Sequence, residues 1–104
     1  MPDRVDVLVT HGPPHSILDR NEHGSCEGDE ALCDHVRDVA PAVHAFGHIH
    51  ESSGIDRESA TLFVNASSLD ERYRVINPCR VIDVTRSANG SLDTVYVVSD
   101  CLET

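Results

Sequence analysis

The segment "AFGHIHESSG", residues 45–54, carries His48 and His50 on alternate positions directly after Gly47. In an extended chain, side chains two residues apart point to the same side. Two imidazoles would then share the mouth of a strand. A third, His11, follows the β-branched run "VDVLVT" and precedes Gly12, and a glycine leaves room for close approach. Neutral imidazole ligates Zn, Fe, Mn and Co, and three such rings can hold one Zn with a position left open for water. A bound metal lowers the pKa of that water to about 7, and two metals about 3.5–4 Å apart can clamp a phosphoryl group. The two-metal arrangement also needs a bridging carboxylate. None of the 18 acidic residues stands at a strand end in a pattern that suggests one. The other reading is a polar loop rich in histidine, and spacing alone leaves both open.

The remaining histidines call for less chemistry. His15, His23 and His35 sit in a loop or on a helix among polar and charged neighbours, where solvent exposure is expected. His44 shares a strand side with Phe46 and reads as a satisfied, partly buried side chain rather than a ligand.

The elements that must position these residues follow from periodicity. Val5, Val7 and Val9 alternate with Leu8 and Thr10, so the first run is apolar on both sides and predicts a strand in the middle of a sheet. Pro13 and Pro14 end it, since neither can donate a ladder hydrogen bond. His11 therefore falls at the carboxyl end of a strand, the edge where open α/β sheets bind ligands. Residues 15–28 read as a loop. Asp29 caps a predicted helix over 30–39, with Leu32, Val36 and Val39 on one face, and Pro41 closes it. "AVHAFGHIH" returns as a short strand, a polar turn spans 52–59, and "TLFVNAS" forms another strand. "RVIDVT" and "TVYVVS" flank Asn89-Gly90, which supplies the positive φ values of a tight hairpin. The order is that of a mixed α/β (α+β) fragment. One helix cannot cover both faces of a sheet, so exposed apolar surface or open edges are expected.

Composition bounds the rest. A chain of 104 residues holds one small domain, 1–104, and its 4% aromatic content means a core of Val, Leu, Ile and Ala. The formal net charge is −10 and every basic residue is Arg, which disfavours nucleic acid and anionic membranes as partners. No apolar run has the length of a membrane span, and the opening "MPDRVDVLV" lacks the form of a signal peptide, so a cytoplasmic location is expected. Cys26, Cys33, Cys79 and Cys101 form no CxxC pair and read as idle thiols rather than a zinc knuckle.

Four blocks in order, "DVLVTHGPPHSILD", "HAFGHIHESSG", "TLFVNAS" and "INPCRVIDV", resemble the C-terminal half of a calcineurin-like metallophosphoesterase. The nearest branch is the small class III phosphodiesterase-like proteins, with THGPP followed by GHIHE and VNAS. The resemblance implies the C-terminal half of a β-sandwich flanked by helices and ending in a β-hairpin, with a dinuclear centre of Mn, Fe, Zn or similar ions at the strand ends. It implies that His11 and His48 ligate the second metal and His50 the first. Gly47 would let the loop pass close to the metals, and Asn65 would end a neighbouring strand with no catalytic role. The implied activity is hydrolysis of phosphomono- or phosphodiesters.

Three family motifs do not occur in this sequence: Asp-x-His, Gly-Asp ahead of THGPP, and Gly-Asn-His. With them go the bridging Asp and the remaining ligands. Gly28-Asp29 follows THGPP and opens the helix, so Asp29 reads as a cap, and Ser16 stands where the branch has glycine. The expectation is at most one weakly held metal in the isolated chain. Activity would require the other half-site from a separate N-terminal half or through self-association. The rivals are a non-catalytic metal-binding or interaction remnant and, less favoured, a mononuclear three-histidine hydrolase.

Overall fold

The computed structural model describes residues 4–68, 72, 74, 75, 79–86, 88 and 92–101, with 79–80 and 92–101 described by their backbone. In chain order the elements are β1 (Val7–Val9), α1 (Glu30–Val39), β2 (Val43–Phe46), a 3-10 turn (His50–Ser52), β3 (Gly54–Glu58), β4 (Thr61–Asn65), β5 (Cys79–Arg86) and β6 (Leu92–Cys101). Four strands form one sheet in the order β1-β2-β4-β3, and β5-β6 form a second. β1, β2 and β4 run parallel, while β3 runs antiparallel to β4. The architecture is mixed α/β, as the element order predicts.

The helix begins where its cap dictates. The Asp29 carboxylate accepts from the Leu32 amide at 3.0 Å, satisfying a donor that the first turn leaves free. It ends at Ala40, which turns left-handed (φ 50°) and donates its amide to the Val36 carbonyl at 2.7 Å ahead of Pro41. Its buried residues are Cys33 and Val36, with Leu32 partly buried.

Alternation along β2 and β4 divides the sheet into two faces. Phe46 and Phe63 pack with Ile17, Cys33 and Val36 on the helix side. Val43, Leu62 and Val64 pack with Ala42 on the other, against Ile82 and Val84 of β5. The second sheet therefore covers the face that one helix could not reach. Parallel pairing between β2 and β4 needs a crossover, and the segment 47–60 with its own strand β3 provides it.

Two expectations change. β1 lies at an edge of the sheet and not in its middle, and Val7 and Val9 are 52% and 72% exposed. They lie on the β5 face, aligned with Val43 and Ala45. Residues 54–58, expected as part of a polar turn, pair with β4 as strand β3. Its exposed Asp56 and Arg57 hid the strand in the sequence, yet charged residues suit a sheet edge. The β5–β6 pairing agrees with the predicted hairpin. Asn89-Gly90 and the "INP" of the fourth block lie outside the described residues.

Candidate metal centre

The chain leaves β1 through Thr10, whose amide still donates to the Ala45 carbonyl at 3.0 Å, so His11 is presented just past the last ladder bond. The Thr10 hydroxyl donates to the Gly12 carbonyl at 2.8 Å and closes the turn around His11. β2 ends at Phe46, and the Gly47 amide donates to the His11 carbonyl at 3.0 Å, which ties the two strand-end loops together.

His48 then takes a left-handed conformation (φ 72°), while the Ile49 amide donates back to the Gly47 carbonyl at 2.9 Å. A bond from residue i+2 to i around a central residue of positive φ is the rarer, strained kind of γ-turn. The extended path that would set His48 and His50 side by side is therefore not the one the chain adopts. The turn directs His48 toward His11 instead. Their ring centroids lie 4.6 Å apart at an interplanar angle of 40°, and both residues are exposed. His50 is half-buried and opens the 3-10 turn. Among the described residues, no three or more His, Cys, Asp or Glu side chains come close enough to share a metal ion.

A buried polar frame supports these loops. Asn65, the last residue of β4, is fully buried. Its amide nitrogen donates to the Leu18 carbonyl at 3.0 Å and the Ile49 carbonyl at 2.9 Å, and its oxygen accepts from the Ser67 amide at 3.1 Å. His44 is also fully buried, edge-on to Phe46 and Phe63, with Nε2 2.9 Å from the Thr10 hydroxyl. Because that hydroxyl donates to Gly12, the consistent assignment has His44 Nε2–H donating to it, leaving Nδ1 as an acceptor without a partner. Burial lowers the His44 pKa to about 4, so the ring stays neutral. Asp19 is the third member. Its Oδ2 accepts from the Ser16 amide at 2.7 Å and the Gly28 amide at 2.9 Å, which braces the loop after His11.

The other expected positions take plain roles. Asp29 is the helix cap, and a Cβ on Gly28 would overlap the Pro14 backbone carbonyl. A Cβ on Gly47 would lie in ordinary contact 3.5 Å from Ser67 Oγ, so the tight backbone here is at His48 and not at the glycine. His23 and His35 are exposed, and His15 is half-buried with Nδ1 2.9 Å from Ser16 Oγ. Cys26 and Cys33 are free thiols, and burial raises the pKa of Cys33. Thr10, Asp19 and the clamping role of Asn65 were missed in the sequence. The one available signal was a polar residue, Asn65, ending the otherwise apolar run "TLFV".

His11 and His48 thus bring two exposed imidazoles together on two pinned loops. Among the described residues, no carboxylate joins this pair to make a three-donor group.

No protein-family model matches the chain. Among curated proteins, it is 40% identical over 94 residues to Metallophosphoesterase domain-containing protein 1 of Homo sapiens and to the protein of that name from Mus musculus. Each match covers 86% of this chain and 28% of the relative. A UPF0046 protein of Caenorhabditis elegans is 33% identical over 79 residues, covering 71% of this chain and 28% of the relative. The chain thus spans less than a third of the length of these relatives. Two of these relatives are named for a metallophosphoesterase domain, and the match covers only part of each. Among the described residues, no helix is long and apolar enough to cross a membrane.

Proposed function

We propose that this chain contributes one side of a dinuclear metallophosphoesterase centre of the class III phosphodiesterase-like branch. His11 and His48 would hold one divalent ion (Mn, Fe, Zn or similar) and His50 would ligate the other. The observation that carries this reading is the 4.6 Å approach of the His11 and His48 rings at the carboxyl ends of the parallel strands β1 and β2. When bound, the metal supplies Lewis-acid chemistry and a hydroxide nucleophile at neutral pH for a phosphomono- or phosphodiester. The chain's own part is to aim the imidazoles and to keep them on pinned loops.

The bridging carboxylate and the remaining ligands then come from other polypeptide. The outer edge of β1, with Val7 and Val9 exposed, supports a place for it: a longer protein's preceding sequence, a separate chain or a second copy. A reducing cytoplasm suits the free thiols of Cys26 and Cys33. The second reading is a non-catalytic metal-binding or interaction module, favoured by the lack of a three-donor group among the described residues.

Hydrolysis of a chromogenic phosphodiester with added Mn²⁺, beside calorimetric Mn²⁺ titration, separates the two. The proposal expects Mn²⁺ binding that is lost in His11→Ala and His48→Ala, with turnover only when the complementary segment is supplied. Binding without turnover in the presence of that segment supports the second reading. A folded chain that binds no Mn²⁺ overturns the metal assignment.

A further inference from the structure

We infer that Asn65 is a positioning residue, whose amide locks the strained turn at His48 so that its imidazole faces that of His11. His48 sits between two pinned peptide units. On one side the Gly47 amide is bound to the His11 carbonyl. On the other, the Ile49 amide closes the γ-turn and the Ile49 carbonyl accepts from Asn65 Nδ2. A left-handed φ at a side-chain-bearing residue is strained and persists only where surrounding contacts over-determine it. Asn65 supplies that contact from a fully buried site at the end of β4. Without it, residue 48 is free to relax to negative φ and its ring swings away.

The second proton of the same amide donates to the Leu18 carbonyl. Leu18 is itself left-handed (φ 50°) and lies in the loop that leaves His11. One side chain therefore couples both loops that present the paired rings. Aspartate has the same shape and keeps the acceptor for the Ser67 amide. It puts an oxygen where two carbonyls need donors, so it cannot replace this function.

The claim rests on the metallophosphoesterase reading only where metal is used as a probe. The decisive comparison is Asn65→Asp against Val36→Ala, a core truncation on α1 that packs in the same cluster as Ile17 but removes none of the hydrogen bonds of Asn65. The first readout is the NOE between the His11 and His48 ring protons in metal-free protein; the second is Zn²⁺ affinity by titration. Asn65→Asp is expected to lose the NOE and weaken Zn²⁺ binding by about 10–100-fold, while Val36→Ala, although destabilised, keeps both. Asn65→Ser, too short to reach both carbonyls, repeats the test in a milder background. Retention of the NOE in folded Asn65→Asp, or its equal loss in Val36→Ala, overturns the proposal. So does failure of both Asn65 variants to fold, since Asn65 would then serve folding alone. Wild-type protein that shows the NOE and binds no Zn²⁺ sinks the metal reading, and the positioning claim is then decided by the NOE.

Discussion

Alternate residues of the same two strands, β2 and β4, build two faces of different kind. The face toward β5 is aliphatic throughout: Val43, Leu62 and Val64 with Ala42, packed against Ile55, Ile82 and Val84. The face toward α1 also has apolar packing, through Phe46, Phe63, Cys33 and Val36, but it buries His44 and Asn65 among them. A buried polar group destabilises unless it is hydrogen-bonded. On the helix face those bonds run outward to the loops carrying His11, Leu18 and Ile49. The β5 face holds the sheet together; the helix face also sets the geometry of the candidate site. Three of the left-handed residues, Ser16, Leu18 and His48, lie in those same loops.

The largest effect that could break this contrast comes from adjacent residues on opposite faces. Phe63→Ala is expected to cost about 3–5 kcal/mol in urea unfolding. It should also bring the His44 pKa back toward its ordinary value as water enters. Val64→Ala should cost less and leave the His44 titration, followed by NMR, where it was. If Val64→Ala moves His44 as far as Phe63→Ala does, the two faces are not distinct.

A second test uses pH. The folded His44 takes a proton only near pH 4, whereas the unfolded residue does so near 6.5. Between those values the unfolded chain binds more protons, so this contribution to stability is present above pH 6.5 and is lost progressively down to about pH 4. The full loss amounts to about 3 kcal/mol. Thermal unfolding across that range should show the decline, and His44→Gln should flatten it. An unchanged slope would mean that the buried ring is not the source.

The smallest effect sharpens the picture of strain. Ser16 (φ 69°) sits in a conformation that glycine adopts freely, so Ser16→Gly should stabilise the protein by about 1 kcal/mol. Ser59→Gly (φ 54°), in the turn between β3 and β4, should give a similar gain. That turn lies at the opposite end of β4 from Asn65, so Ser59→Gly should leave the His11–His48 contact untouched.

Much of this fold was legible from local rules. Asp29, the spacing of Leu32 and Val36, and Pro41 marked the helix and both its ends, because a cap and a helical face are decided within a few residues. The β-branched runs marked β1, β2, β4 and the β5–β6 pair. β3 was not legible: "GIDRE" has one large apolar residue, and its pairing is supplied by the edge of β4. Nor was the edge position of β1, since a run apolar on both sides does not say how far the neighbouring sheet extends.

The same division holds for the site. By itself the sequence determined that His11 and His48 stand just beyond strand ends, because prolines and glycine stop the strands there. Only the tertiary structure decided that His48 turns to meet His11 and not His50, and that Asn65 does the holding. Local propensity reaches across one turn or one strand. The path of a strained loop depends instead on a hydrogen bond from a residue 16 positions away at Ile49 and on another 47 positions away at Leu18. Such bonds exist only once β4 has packed against the helix and its buried amide has no water left to turn to.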